Sequence, residues 1–376
     1  MMKKVLHISK FFYPYYGGIE DVVYTITQGL KNSNYEQQVI CFSQNRHSST
    51  EIIDEIPVTR VGVLGEIFSQ PIPLCYRTQL KKVIASFKPD IIHIHLPNPL
   101  ICACLLNIRT SGIKIVVHWH ADILGKKLMY RLIRPVERKI LDRADTIIAT
   151  SREYAALSTP LQPYMNKVAI LPNTINEHKF SIATDDTKEV ERIRKKFGNK
   201  KIVLFIGRHV EYKGIRYLIE SADQLPQDTI VLIAGSGQLT PKLLSQAQSH
   251  DNIYFLGRIP NEHIKFYMAA ASVFAFPSID RREAFGVALA EALYSGLPAV
   301  SFHIDGSGTN WVNQTNKTGF VVPNRDTETF AQAINTLLTD DALREQMSKE
   351  ANLWVKNNFL SNQILRLIDI YGNLGV

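Results

Sequence analysis

Cysteine is scarce: four in 376 residues, scattered as Cys41, Cys75, Cys102 and Cys104. That excludes a disulfide scaffold. Cys102 and Cys104 stand two apart in an apolar run that reads as helix, where they point to different sides and make poor joint ligands. Long hydrophobic runs are missing too. The longest strongly apolar one, Ile101 to Leu106, falls far short of the ~20 residues a membrane span needs. The basic start, Met1 to Lys10, has too short an apolar stretch for a signal peptide. Together these point to a reducing, cytoplasmic location without a transmembrane helix. There is no short repeat and no low-complexity tract. The Gly-x-Gly-x-x-Gly dinucleotide fingerprint is also lacking, so ordinary NAD binding is not indicated.

What is present is globular material: 45% apolar and 21% charged residues, enough for two to three domains. Lys and Arg number 43 against 35 Asp and Glu, a net charge of +8. Such a balance suggests polyanionic company: nucleic acid, phosphorylated ligands or an anionic membrane surface.

Short β-branched runs at 4–9, 38–42, 58–63, 91–95, 115–118, 146–150 and 168–171 alternate with helix-like stretches at 20–31, 77–87 and 125–141. Strand, crossover helix and strand in this order predict a parallel sheet covered on both faces. The pattern stops at the polar stretch 172–199, read as the linker. It restarts with runs at 202–206, 230–234, 253–256, 273–276, 299–302 and 319–322. The tail from Asp341 reads as helix, with a break expected at Asn357-Asn358. Two Rossmann-like halves place a ligand cleft between the C-terminal ends of two sheets.

The first strand runs into Gly17-Gly18-Ile19-Glu20, just before a helix. Paired glycines there either make a plain tight turn or let backbone N–H groups approach an anion. In the second half, the run 202–206 is followed by Gly207-Arg208 and Lys213-Gly214 at another helix start. Arg208 offers a planar fork for phosphate oxygens and Lys213 a point charge. The segment after the run 273–276 carries Glu283, Phe285, Gly286, Val287 and Glu291. Carboxylates accept hydrogen bonds only, which suits vicinal sugar hydroxyls, and a glycine at the helix start admits a ligand. Each of these features also has a structural reading, as solvated charge or helix-start electrostatics.

His93/His95 and His118/His120 form two His-x-His pairs on strands, where residues two apart share a face. No carboxylate or cysteine cluster of matching spacing accompanies them, so no metal site is assigned. His120, at its strand's end, reads as a polar or proton-handling group in the cleft, and His93 and His118 as packing residues. In the stretch 125–143, Met129, Ile133, Val136 and Ile140 form one stripe. Lys127, Arg131, Arg134 and Arg138 lie opposite, with a kink or restart expected at Pro135. Four like charges on one face call for an anionic counterpart such as lipid headgroups.

Taken in order, Gly17-Gly18-x-Glu20, His120-Ala121-Asp122, Gly207-Arg208 with Lys213-Gly214, and Glu283-x7-Glu291 resemble the retaining glycosyltransferases of family 4, over nearly the whole chain. The resemblance implies an α/β protein of GT-B fold: two doubly wound Rossmann-like domains whose parallel sheets face each other across a cleft. Residues 1–175 would form the acceptor-side domain, with a C-terminal helix at about 358–376 packing back on it. Residues 176–357 would form the linker and the donor domain.

It also implies roles. Arg208 and Lys213 would bind the donor diphosphate, Glu291 the ribose hydroxyls and Glu283 the sugar hydroxyls. Backbone groups of Phe285, Gly286 and Val287 would line sugar and phosphate. Gly17 and Gly18 would approach the diphosphate, and His120 would sit near the transferred sugar. Catalysis would fall to His120, Glu283, Arg208 and Lys213, without metal or other cofactor. The stretch from Gly306 to Asn313 is similar to a subgroup associated with mannosyl or rhamnosyl transfer in bacterial surface polysaccharides. The family's usual Asn-Gly-x-Asp is here Asn173-Thr174-Ile175-Asn176, so that loop is given no role.

The expected activity is transfer of a hexose, mannose among the candidates, from a nucleotide-diphosphate sugar to a lipid-linked oligosaccharide. The expected setting is O-antigen, lipopolysaccharide or capsule synthesis, with a cytoplasmic enzyme held peripherally at the inner face of the plasma membrane. A UDP or dTDP donor, or a nucleotide-sugar epimerase of the same fold, are the alternatives within the enzyme class. A polyanion-binding protein is the alternative outside it. The basic residues lack the interleaved aromatics of a nucleic-acid platform, so nucleic acid is not an expected partner.

Overall fold

The computed structural model describes every residue except Met1, Tyr16, Phe68, Ser69, Gly125, Lys126, Ser361 and Val376. The chain forms two compact units: Met1–Thr174 together with Ser361–Val376, and Ile175–Leu360.

In the first unit, eight strands form one sheet. Their order is Val168–Ile170, Thr146–Ala149, Lys114–Trp119, Ile91–Leu96, Lys3–Ile8, Tyr35–Phe42, Ile56–Val61 and Ser49–Ile53. Seven of them run parallel, as the strand–helix alternation predicts. The edge strand Ser49–Ile53 is antiparallel to its neighbour, and Val63–Ile67 pairs with Gln70–Pro73 in a separate two-stranded sheet. These three strands were not expected from the sequence. Ser49–Ile53 is largely exposed and carries no buried apolar alternation to mark it.

In the second unit, six parallel strands are ordered Ile253–Gly257, Thr229–Ala234, Lys201–Ile206, Val273–Phe276, Ala299–Phe302 and Gly319–Val322. In chain order this is 3-2-1-4-5-6, the doubly wound arrangement whose ligand position lies where the order reverses. Thr229–Ala234 is buried along its whole length, which is why it reads as an unbroken apolar run. The flanking helices begin at recognisable caps. Asp326 accepts from the Thr329 N–H at 3.0 Å and Asp340 from the Leu343 N–H at 2.9 Å.

Three expectations change. The polar stretch read as a linker contains the helix Thr187–Lys196, whose Val190 and Ile193 belong to the second unit's core. The basic helix Lys127–Arg143 runs through Pro135 without a restart. The tail breaks later than expected, after the helix Asp341–Phe359, and resumes as Asn362–Gly372 in the first unit.

Candidate active site

The reversal of strand order in the second unit falls between Lys201–Ile206 and Val273–Phe276, which are direct neighbours. Arg208 and Lys213 lie on the loop leaving the first strand. Glu283 lies on the loop leaving the second. Gly214, with φ +61°, ends the turn Glu211–Lys213 and opens the helix Ile215–Ser221. A Cβ on Gly214 would stand 2.0 Å from the Pro277 carbonyl oxygen, so only glycine lets the two loops lie this close. The Ile279 N–H completes the seam by donating to the Tyr212 carbonyl at 2.9 Å.

Across that seam Lys213 Nζ pairs with Glu283 Oε2, both side chains being about nine-tenths buried. The Ser278 hydroxyl donates to the same oxygen at 3.0 Å. The ammonium also stands 5.1 Å from the centre of the Phe276 ring. Lysine has three donors, and one is spent on Glu283. The backbone around Glu283 is held from two sides: its N–H donates to the Asp280 carbonyl at 3.0 Å, and its carbonyl accepts from the Ser307 hydroxyl. Asp280 grips Arg282 through both carboxylate oxygens, and the Arg282 guanidinium covers the Tyr212 ring at 5.1 Å. Arg208 is exposed, with Nη2 donating to the Tyr212 hydroxyl at 3.0 Å.

Gly286, with φ +86°, caps the helix Val287–Tyr294. Phe285 is buried edge-on against Phe359, ring centres 5.3 Å apart. Val287 and Glu291 are half-buried, four residues apart on one helix face.

One component was missed from the sequence. Gly235 and Gly237 follow the buried strand Thr229–Ala234 and press against the Arg208 loop. A Cβ on Gly235 would lie 1.9 Å from the Gly207 carbonyl oxygen, and the His209 N–H donates to the Ser236 carbonyl at 3.0 Å. A Gly-x-Gly directly after a buried run was the available signal. His209 itself is buried, its Nδ1 2.9 Å from the Thr240 hydroxyl.

In the first unit, Gly17 precedes the helix Gly18–Gly29, whose first turn already carries Glu20 and Asp21. Glu20 is buried, and a Cβ on Gly17 would meet its Oε2 at 2.3 Å. A Cβ on exposed Gly18 would meet no described atom within 4 Å, so packing gives no reason for glycine there.

His120 follows the strand Lys114–Trp119 and is 5% exposed. Its Nε2 lies 3.0 Å from His95 Nδ1, and burial lowers its pKa to about 3. It is thus a neutral imidazole at pH 7, not a charged proton carrier. Asp122 fixes the same loop, its Oδ1 accepting from Trp119 Nε1 at 2.8 Å and the Ser158 hydroxyl at 2.6 Å. His93 and His118 are fully buried, but His93 Nε2 and both ring nitrogens of His118 have no hydrogen-bond partner among the described residues, which a plain packing role does not account for.

On the basic helix, Arg131, Arg134 and Arg138 are exposed, while the Lys127 side chain and the helix start expected at Gly125 lie outside the described residues. Ile140 is buried, and Met129, Ile133 and Val136 are half-buried. Two features were unforeseen: Leu128 and Leu132 are nearly four-fifths exposed among the arginines, and Glu137 is buried, accepting from the Tyr130 hydroxyl at 2.6 Å. No helix among the described residues is long and apolar enough to cross a membrane.

Comparison with known proteins agrees with this architecture. Residues 186–354 match the family model of glycosyl transferases group 1, and residues 16–179 that of glycosyltransferase family 4. The O-antigen chain mannosyltransferase C of Escherichia coli is 30% identical, over 99% of this chain and 97% of that protein. D-rhamnosyltransferase WbpZ of Pseudomonas aeruginosa is 29% identical, over 93% and 90%. Among solved structures, the sucrose-phosphate synthase of Thermosynechococcus elongatus superposes with TM-score 0.82 at 20% identity, covering 99% of both chains. With both halves matched and a relative aligned end to end, the chain belongs to the family 4 glycosyltransferases, enzymes of the GT-B fold.

Proposed function

We propose that this glycosyltransferase moves a hexose, with mannose the favoured sugar, from a nucleotide-diphosphate donor to a lipid-linked oligosaccharide of the O-antigen type, with retention of anomeric configuration. The observation that carries the reading is the Lys213–Glu283 pair at the switch point. A cation suited to a departing diphosphate touches a carboxylate suited to sugar hydroxyls, so the two ends of one donor meet adjoining groups. One relative is named an O-antigen chain mannosyltransferase and the other a D-rhamnosyltransferase, which supports the sugar class and, through the first, the O-antigen setting.

In this reading the remaining Lys213 donors and the Arg208 fork hold the diphosphate, and their charge stabilises it as the glycosidic bond breaks. No divalent ion is needed for that step. Both contacts on Glu283 fall on Oε2, and Oε1 accepts from the sugar. Glu291 takes the ribose hydroxyls. Backbone groups of Phe285, Gly286 and Val287 line the donor. In the first unit, Gly18 leaves backbone open to the diphosphate, and neutral His120 hydrogen-bonds the sugar. The acceptor hydroxyl attacks from the face the leaving group vacates and passes its proton to the donor phosphate, which yields retention. The basic helix, with Leu128 and Leu132 beside its arginines, rests on the anionic inner surface of the plasma membrane, where the acceptor lies.

A panel of GDP-, UDP- and dTDP-sugars screened for thermal protection tests the donor. GDP-mannose at a hundredfold over its Kd should stabilise the fold by about 2.7 kcal/mol. Protection by a UDP or dTDP sugar alone would replace the donor. Conversion of the donor without an acceptor would point to an epimerase or hydrolase. The anomeric configuration of the product, read by NMR, tests retention.

A further inference from the structure

The first unit's sheet carries five buried histidines on one face. His7 lies opposite His93 in the parallel register of Lys3–Ile8 and Ile91–Leu96, and His95 lies opposite His118 on the next strand. His95 and His120 follow His93 and His118 by two residues and so share their face. The rings form a continuous group, with centres 5.4 Å apart for His7 and His93 and 4.4 Å for His93 and His95.

Imidazole nitrogens in such a place need partners, because an unpaired buried polar atom carries its full desolvation cost. Here many have none. Nε2 of His93 and Nε2 of His95 are buried without a hydrogen-bond partner, and among the described residues His7 has only the Gln37 side chain as a hydrogen-bonding neighbour, at no better than a poor geometry. The opposite nitrogens are held: His93 Nδ1 lies 2.6 Å from the Tyr371 hydroxyl, and His95 Nδ1 lies 3.0 Å from His120 Nε2. In His93 and His95 one nitrogen is held and the other is bare, as in metal-ligating histidines.

We propose that His7, His93 and His95 bind one zinc-class transition-metal ion inside the first unit, apart from the diphosphate chemistry. One nitrogen from each of the three lies within 4.8 Å of the others. A tetrahedral site with Zn–N of about 2.1 Å needs nitrogens roughly 3.4 Å apart. Closure to that spacing requires the rings to turn, His93 and His95 out of the stacked arrangement in which they lie 27° from parallel. Burial keeps the three rings neutral, the form that binds metal. A bound water would have to supply the fourth position. A second group, His95, His118 and His120, is equally close-set and also carries bare nitrogens, but among the described residues none of its rings is held by a non-histidine partner as His93 is by Tyr371, and on that ground the first group is taken as the site.

The test uses the full-length chain produced in zinc-supplemented medium, passed through gel filtration and assayed for metal by plasma emission. About one zinc per chain is expected. A triple alanine variant of the exposed His47, His178 and His303 should keep it, whereas His7→Gln and His93→Gln should each lose tenfold or more. Cobalt-grown wild-type protein should show the intense visible absorption of tetrahedral Co2+. That spectrum tests for a tetrahedral site even if the buried variants do not fold, and His118→Gln, expected to keep the zinc, separates this site from the second group. Substoichiometric zinc in the wild type, zinc lost from the exposed-histidine variant, zinc unchanged in His7→Gln, or only the weak octahedral cobalt spectrum would each overturn the site. Ordered water would then be what satisfies these nitrogens.

Discussion

Lys213 and Glu283 lie 70 residues apart in the chain yet form a buried ion pair across the two loops where the strand order of the second sheet reverses. The pair has both a structural and a ligand-binding side, and the two are separable. Removing Lys213 alone leaves a buried carboxylate uncompensated, a loss of about 3–5 kcal/mol of stability. Lys213→Ala combined with Glu283→Gln should recover much of the melting temperature. It should not recover turnover, since donor binding loses about 2–5 kcal/mol with the cation gone. Near-normal kcat/KM in the folded double variant would remove Lys213 from the donor site.

Arg208 is exposed, so its replacement should not disturb folding. Arg208→Lys keeps the charge and loses the fork, and should reduce donor affinity at unchanged Tm. Equal affinity in calorimetry would mean that Arg208 is only a solvated charge.

If Lys213 and Arg208 neutralise the departing diphosphate, transfer proceeds with EDTA present and no divalent ion added. Loss of turnover under chelation, with recovery on adding Mg2+ or Mn2+, would put an ion on the diphosphate and demote the two side chains.

The basic helix makes a prediction about place. Each exposed basic residue near an anionic bilayer is worth about 1 kcal/mol, fading within a Debye length. Replacing Lys127, Arg131, Arg134 and Arg138 by Gln should abolish salt-sensitive binding to anionic vesicles while donor binding persists. Leu128→Ser with Leu132→Ser should weaken the salt-resistant part. Unchanged vesicle binding in the quadruple variant would return the helix to an ordinary solvated face.

Glu137 offers a pH-dependent test of packing. Burial raises its pKa, partly offset by the Tyr130 hydroxyl that donates to it. A carboxyl whose folded pKa lies above its unfolded value favours the fold while protonated, and that advantage is lost as pH rises through the folded pKa. Glu137→Gln should therefore be more stable than the wild type at pH 7–8. The difference should shrink as pH falls below the ordinary glutamate value of about 4.3. A constant difference across that range would show that ionisation is not its source.

Much of this was legible in the residues. Val273–Phe276 and Ala299–Phe302 are buried throughout and their apolar runs mark their bounds, Ser301 being the one polar residue in them, whereas the edge strand Gly319–Val322 is fully buried only at its two ends. Ser49–Ile53 left no such trace, since an exposed edge strand is specified by its neighbour and not by burial. Arg208, Lys213 and Glu283 could each be singled out, but the contact between Lys213 and Glu283 depends on strand order, which no local spacing encodes. The same holds for the histidines: two His-x-His pairs were visible, and His7 joined them only through the register of a neighbouring strand.

The helix Asn362–Gly372 belongs to the first unit, although the whole of Ile175–Leu360 separates it from the rest of that unit. Where the chain enters and leaves the second unit, the Ile175 N–H donates to the Phe359 carbonyl at 3.2 Å, so the outgoing and returning segments run side by side. On the ribosome this imposes a sequence of events. The earlier-made unit waits, its sheet complete but missing Tyr371 against His93, while the later one is synthesised. The second unit has all its residues before the first does. A nascent chain that ends before residue 362 lacks the Tyr371 hydroxyl that His93 Nδ1 meets in the finished unit.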